Sequence, residues 1–118
     1  MDHLNKNELE VLRLLWEEAP RKPGEIQQGF LWPIDNGTLR SVLVAMVDAE
    51  LLRRERRGRA FVYWPRIRRE TQFRQMIRRV AEVFTGGSTG QLLMELAANE
   101  KLTADELAKL KRIADGGK

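Results

Sequence analysis

Residues 38–65, TLRSVLVAMVDAELLRRERRGRAFVYWP, set a helical period directly ahead of two β-forming runs joined by an arginine-rich segment. Over Thr38 to Glu50 the apolar residues Leu39, Val42, Leu43, Met46 and Val47 recur at the spacing of one buried helix face, while Arg40, Ser41, Val44 and Asp48 fall on the opposite side. Leu51-Leu52 and Ala60 to Trp64 are rich in aliphatic, β-branched and aromatic residues. Between them, Arg53-Arg54-Glu55-Arg56-Arg57-Gly58-Arg59 carries the glycine that a tight hairpin turn needs, so this stretch predicts a helix followed by a basic β-hairpin.

The residues ahead of it complete a recognisable order. Asn5 and Glu8 have the spacing of a capping box, and Leu9, Leu12, Leu15 and Trp16 form an apolar stripe, which predicts a first helix from about Lys6 to Glu18 that stops before Pro20. Residues 23–31 predict a short second helix, and residues 32–37, Trp-Pro-Ile-Asp-Asn-Gly, a turn. Two helices joined by a turn, with a third packed across them and a hairpin behind, make a winged helix-turn-helix. The expected class is mainly α with a small β-hairpin: a winged-helix domain over 1–69, then a helical region over 70–118.

Charge is distributed to match. Residues 1–37 carry 4 basic and 7 acidic side chains, residues 38–79 carry 12 and 4, and residues 80–118 carry 5 and 6, so the formal net charge of +4 is concentrated in the middle. Every basic residue of that middle segment is arginine, whose planar fork suits phosphate and guanine. A double-stranded DNA partner follows. Thr38, Arg40, Ser41 and Val44 are the candidates for phosphate and base contacts on the helix, with Arg40 the best placed to fork onto guanine; Thr38 serves equally well as a helix cap. Arg53, Arg54, Arg56, Arg57 and Arg59 are the candidate backbone contacts of the wing. Of the neighbours Tyr63 and Trp64, strand alternation sends one to the core and one to the surface.

Behind Pro65 the helical period returns. Phe73, Met76, Ile77, Val80 and Phe84 follow the three- and four-residue steps of a seam between helices, from about Glu70 to Phe84. Leu92, Leu93 and Leu96 mark a second helix over Ser88 to Asn99, and Thr103 with Glu106 caps a third whose apolar side is Leu107, Leu110 and Ile113. Two readings of this tail stand: it pairs with a second copy, or it folds back as ordinary core. The apolar stripes outnumber the surfaces one protomer supplies, which favours a homodimer held by these residues.

Other classes find little support. The chain has no cysteine, hence no thiolate metal site or disulfide, and no catalytic site or cofactor is expected. His3 is the single histidine, and a metal site built from it and Glu8 is a weak alternative. Glu8, Glu10, Glu17 and Glu18 read as the solvated face of the first helix rather than as acid–base groups. No signal peptide or membrane span is evident, so the expected location is cytoplasmic. The competing functional class is a winged-helix module that binds protein and has only non-specific affinity for nucleic acid.

The run Leu4-x-x-x-Glu8-Leu9-x-Val11-x-x-x-Leu15-Trp16, then Thr38-Leu39-x-Ser41-x-Leu43-x-x-Met46, then Gly58-Arg59-x-x-x-Tyr63-x-Pro65 and the helical tail, resembles the penicillinase and methicillin-resistance repressor family with its copper-responsive relatives. The resemblance implies a homodimeric transcriptional repressor on a palindromic operator. It also implies a sensor protease as partner, since the β-lactam-responsive members are cleaved in the tail. This chain has Ala45 and Ala49 where the family usually has arginine and lysine, and Glu95-Leu96 where the cleaved bond joins asparagine to phenylalanine. With no cysteine it lacks the cluster of the copper-responsive branch.

Overall fold

The structure is a computed structural model that describes residues 4–114. Six helices and one hairpin follow in the order α1 (Lys6–Glu17), α2 (Pro23–Gly29), α3 (Asn36–Asp48), β1 (Leu52–Arg57), β2 (Ala60–Pro65), α4 (Arg69–Thr85), α5 (Thr89–Asn99) and α6 (Ala104–Ala114). Internal packing divides the chain into two compact units at Gln72/Phe73.

In the first unit, α1 starts at a full capping box. The Asn5 side chain accepts from the Glu8 N–H at 2.8 Å, and Glu8 Oε1 accepts from the Asn5 N–H at 2.8 Å. Val11, Leu12, Leu14 and Leu15 of α1 meet Ile26 of α2, Leu39, Leu43 and Met46 of α3, Leu52 of β1 and Tyr63 of β2 in one core. Each fully buried leucine or isoleucine there contributes roughly 1.5–3 kcal/mol by leaving water. α2 approaches α1 so closely that a Cβ at Gly29 would sit 2.7 Å from Leu14 Cδ2. It ends there, two residues short of the expected Leu31, because Phe30 is already extended.

The strands pair antiparallel in the register Leu52↔Pro65, Arg53↔Trp64, Arg54↔Tyr63, Glu55↔Val62, Arg56↔Phe61 and Arg57↔Ala60. The turn is therefore only Gly58-Arg59, with Gly58 at φ 65°, a conformation that glycine adopts without the Cβ penalty. The arginine-rich segment between the two expected runs is thus mostly strand rather than turn: four of its arginines lie in β1, because the ladder of β2 outweighs their weak β-propensity. On its other edge β2 is joined by Arg21, whose backbone exchanges hydrogen bonds of 3.0 and 3.3 Å with Tyr63. Two indole N–H groups are satisfied as well: Trp16 donates to the Ile67 carbonyl and Trp32 to Asn7 Oδ1.

Glu10 departs from the expected solvated face. It is only 4% exposed, accepts two hydrogen bonds from Arg13 at 2.7 and 2.8 Å, and accepts the Leu31 N–H at 2.9 Å. Arg13, aided by that backbone bond, holds the Glu10 carboxyl below the usual carboxylate range against the opposing effect of burial. One carboxylate thus ties α1 to the chain leaving α2.

The second unit is built differently. α4 ends at Gly86 and Gly87, both at positive φ, and the Gly87 N–H closes onto the Ala81 carbonyl. Ser88 caps α5 by accepting the Gln91 N–H, and Thr103 with Glu106 forms a reciprocal capping box for α6. Among the residues expected at a dimer seam, Phe73, Val80, Phe84, Leu93, Leu96, Leu107 and Ile113 are exposed, and Met76, Ile77 and Leu110 are half-buried. Leu92 is instead buried within its own chain. Val83 and Met94, about 70% exposed, are further exposed apolar side chains of this unit that the seam spacing does not include.

Candidate nucleic-acid interface

Helix α3 begins at Asn36, two residues before the expected Thr38, because Asp35 and not Thr38 is its cap. Asp35 Oδ1 accepts the Thr38 N–H at 2.7 Å, and the Thr38 hydroxyl donates to Asp35 Oδ2 at 2.9 Å. These two bonds, the backbone one foremost, hold the Asp35 carboxyl below its ordinary range. Both donors of Thr38 are therefore spent on Asp35 rather than turned outward. Burial of Leu39, Leu43 and Met46 fixes the rotation of the helix and leaves Arg40, Ser41, Val44 and Ala45 exposed.

Starting the helix at Asn36 puts Asn36 and Arg40 four residues apart on one face. Arg40 Nε donates to Asn36 Oδ1 at 2.6 Å. Its two terminal amino groups remain available to fork onto a base edge. Asn36 was missed at the level of sequence because a turn was expected there, and a turn has no i, i+4 neighbour.

The wing splits its arginines between two faces. Arg54, Arg56 and Arg59, with Phe61 and Tyr63, line a groove of about 750 Å³ whose other wall carries Asn36, Arg40 and Val44 of α3 and whose end carries Lys22, Glu25 and Gln28. By strand alternation Arg53, Glu55 and Arg57 lie on the other face with Trp64. All five arginines are exposed. Tyr63, 4% exposed, is the member of the aromatic pair that enters the core; Trp64 stays half-exposed under arginines. Arg53 also lies 3.7 Å from Glu55, the sole carboxylate of β1, which is too exposed to neutralise the strand. Ser41 and Ala45 lie beside the groove in a shallower depression with Asp48.

No group of described residues could hold a metal ion, and His3 lies outside the described residues. No helix among them is long and apolar enough to cross a membrane.

Against solved structures, the chain is similar to the solution structure of the DNA-binding domain of the repressor BlaI, at 24% identity and a TM-score of 0.49, over 57% of this chain and 84% of that one. It is also similar to the crystal structure of a protein from Archaeoglobus fulgidus, at 13% identity and a TM-score of 0.48, over 70% of this chain and 91% of that one. No curated protein matches it in sequence. The penicillinase repressor family model matches residues 4–116. With nearly every residue inside that match, the chain belongs to the penicillinase repressor family of DNA-binding transcriptional repressors.

Proposed function

We propose that the chain represses transcription as a homodimer, each protomer setting α3 in the major groove of one half of a palindromic operator and its wing along the neighbouring backbone. The observation that carries this reading is the single groove shared by Arg40 and Val44 of α3 with Arg54, Arg56 and Arg59 of the wing. A guanidinium, a methyl-bearing side chain and a bank of cations are the groups that read guanine, meet a thymine methyl and neutralise phosphate. Arg40 is the base-reading residue and Ser41 a backbone contact; Thr38 contributes through the start of α3. The dimer is supported by the apolar surface of α4–α6, where Val80, Val83, Phe84, Met94, Leu96 and Ile113 remain 39–72% exposed. Exposed apolar side chains in such density mark an association surface. A DNA target fits a cytoplasmic location.

The test is selection of bound sites from a random double-stranded DNA pool by purified protein at about physiological salt. A two-fold palindrome with half-sites about one helical turn apart is the expected result. Weak, unpatterned and salt-labile binding would make the groove an electrostatic surface alone and favour the protein-binding module.

A further inference from the structure

The wing's arginines are arranged on aromatic rings. The Trp64 ring lies 3.9 Å from the Arg53 guanidinium carbon and 5.3 Å from that of Arg57; the Phe61 ring lies 4.3 Å from Arg54 and 5.9 Å from Arg56. Direct cross-strand pairing accounts for Arg53 with Trp64 and for Arg56 with Phe61. Arg57 is different: its partner in the register is Ala60, at the tip, and its side chain folds back along the hairpin to reach Trp64. Each ring thus gathers two like charges, one ring on each face of the hairpin. Two guanidiniums drawn to one ring repel each other, and Glu55 is the sole carboxylate of the strand. A cluster of this kind is relieved by a polyanion.

We propose that Phe61 and Trp64 are positioning residues of the wing: they hold four arginines over their ring faces before DNA arrives, so that phosphate contacts form without first ordering four flexible side chains. The inference rests on the DNA-binding reading above and assigns the two rings a role in ordering the arginines, apart from any contact of their own with DNA. Cation–π stacking over an open ring face supplies the attraction, and an arginine side chain carries enough rotamer freedom for its prior ordering to matter. Trp64 is the cleaner site to alter, since it is not part of the buried core, whereas Phe61 packs against that core.

The test compares wild type with W64L, W64F, F61L and F61Y, each first shown to unfold cooperatively, for binding to a random-sequence DNA duplex between about 50 and 200 mM salt. W64L is expected to bind about three- to tenfold more weakly at every salt concentration with an unchanged salt slope, because the same phosphates are still neutralised. W64F and F61Y restore binding, and F61L behaves as W64L. Arginine Nε–Hε relaxation in the free protein is the readout that a merely structural role would not move: Arg53 and Arg57 should be restricted in wild type and W64F and mobile in W64L. Equal mobility in wild type and W64L, or undiminished binding by W64L, overturns the proposal. The double variant R54A/R56A separates this from the underlying reading. It should lower the salt slope by about 2; a lowered slope with indifferent rings overturns only the positioning role, whereas an unchanged slope overturns the wing as a DNA contact.

Discussion

The two units of this chain spend their apolar residues in opposite ways. Through Gln72, α1, α2, α3 and the hairpin bury one continuous core, and of the large apolar side chains only Leu31 and Val44 are exposed among the described residues. From Phe73 onward, among the described residues, Ala81 and Leu92 are buried while nine large apolar side chains are exposed. Helix signals are present in the tail as well: Ser88 caps α5, and α6, like α1, starts at a reciprocal capping box. Local signals thus suffice to make helices in both units, but a core requires facing surfaces, and the first unit supplies its own. The lesson is that an amphipathic pattern states that a face is to be covered, not by what.

Substitutions in the two units should separate these situations. The largest effect belongs to Leu43→Ala in the core of the first unit, expected to cost about 3–4 kcal/mol in denaturant unfolding, the transfer of the lost methyls plus an unfilled cavity. A cost near that of an exposed leucine would contradict the closed core. Next comes Glu10→Ala, at about 2–3 kcal/mol, since it leaves the Leu31 N–H and Arg13 without their buried acceptor. The same carboxylate gives a pH dependence. Its folded-state pKa lies below the ordinary 4.5, so its contribution is complete above that value and fades as pH falls from about 4.5 through the folded-state pKa. Thermal melts of wild type and Glu10→Gln should converge in that acid range, and convergence at neutral pH instead would refute the buried pair.

Gly58→Ala is expected to cost about 1 kcal/mol, through the positive φ alone, because a Cβ there would meet nothing within 4 Å. The smallest effect on a protomer is expected in the tail. Phe84→Ser, at a side chain 71% exposed, should change the stability of an isolated protomer by less than about 0.5 kcal/mol. It should nevertheless raise the concentration at which copies associate in sedimentation equilibrium. A large loss of protomer stability with unchanged association would move Phe84 into the chain's own core and remove the contrast between the units.

Much of the local structure of both units was legible in the sequence. The capping boxes at Asn5 and Thr103, the buried face of α3, the glycine of the hairpin and the tail helices all rest on interactions within a few residues, which spacing reveals. The candidate site was legible to the level of its elements: Arg40 and Val44 on one helix and arginines on one wing. What spacing could not reveal was long-range. Glu10 has the spacing of a solvated face, and it is buried because the chain leaving α2 brings the Leu31 N–H to it across the fold. Thr38 has the residue type of a cap, but Asp35 fills that role, which moves the helix start to Asn36 and makes Asn36 the neighbour of Arg40.

By itself the sequence determined the order of elements, the caps of α1, α5 and α6, the confinement of positive charge to arginines between residues 38 and 79, and the motifs of a repressor family, because propensity, capping and charge are local properties of the chain. The tertiary structure decided which arginines share a groove with α3, which rings they rest on and which apolar faces the protomer covers for itself. Those depend on strand register and helix rotation, which are set when distant residues compete for the same buried volume.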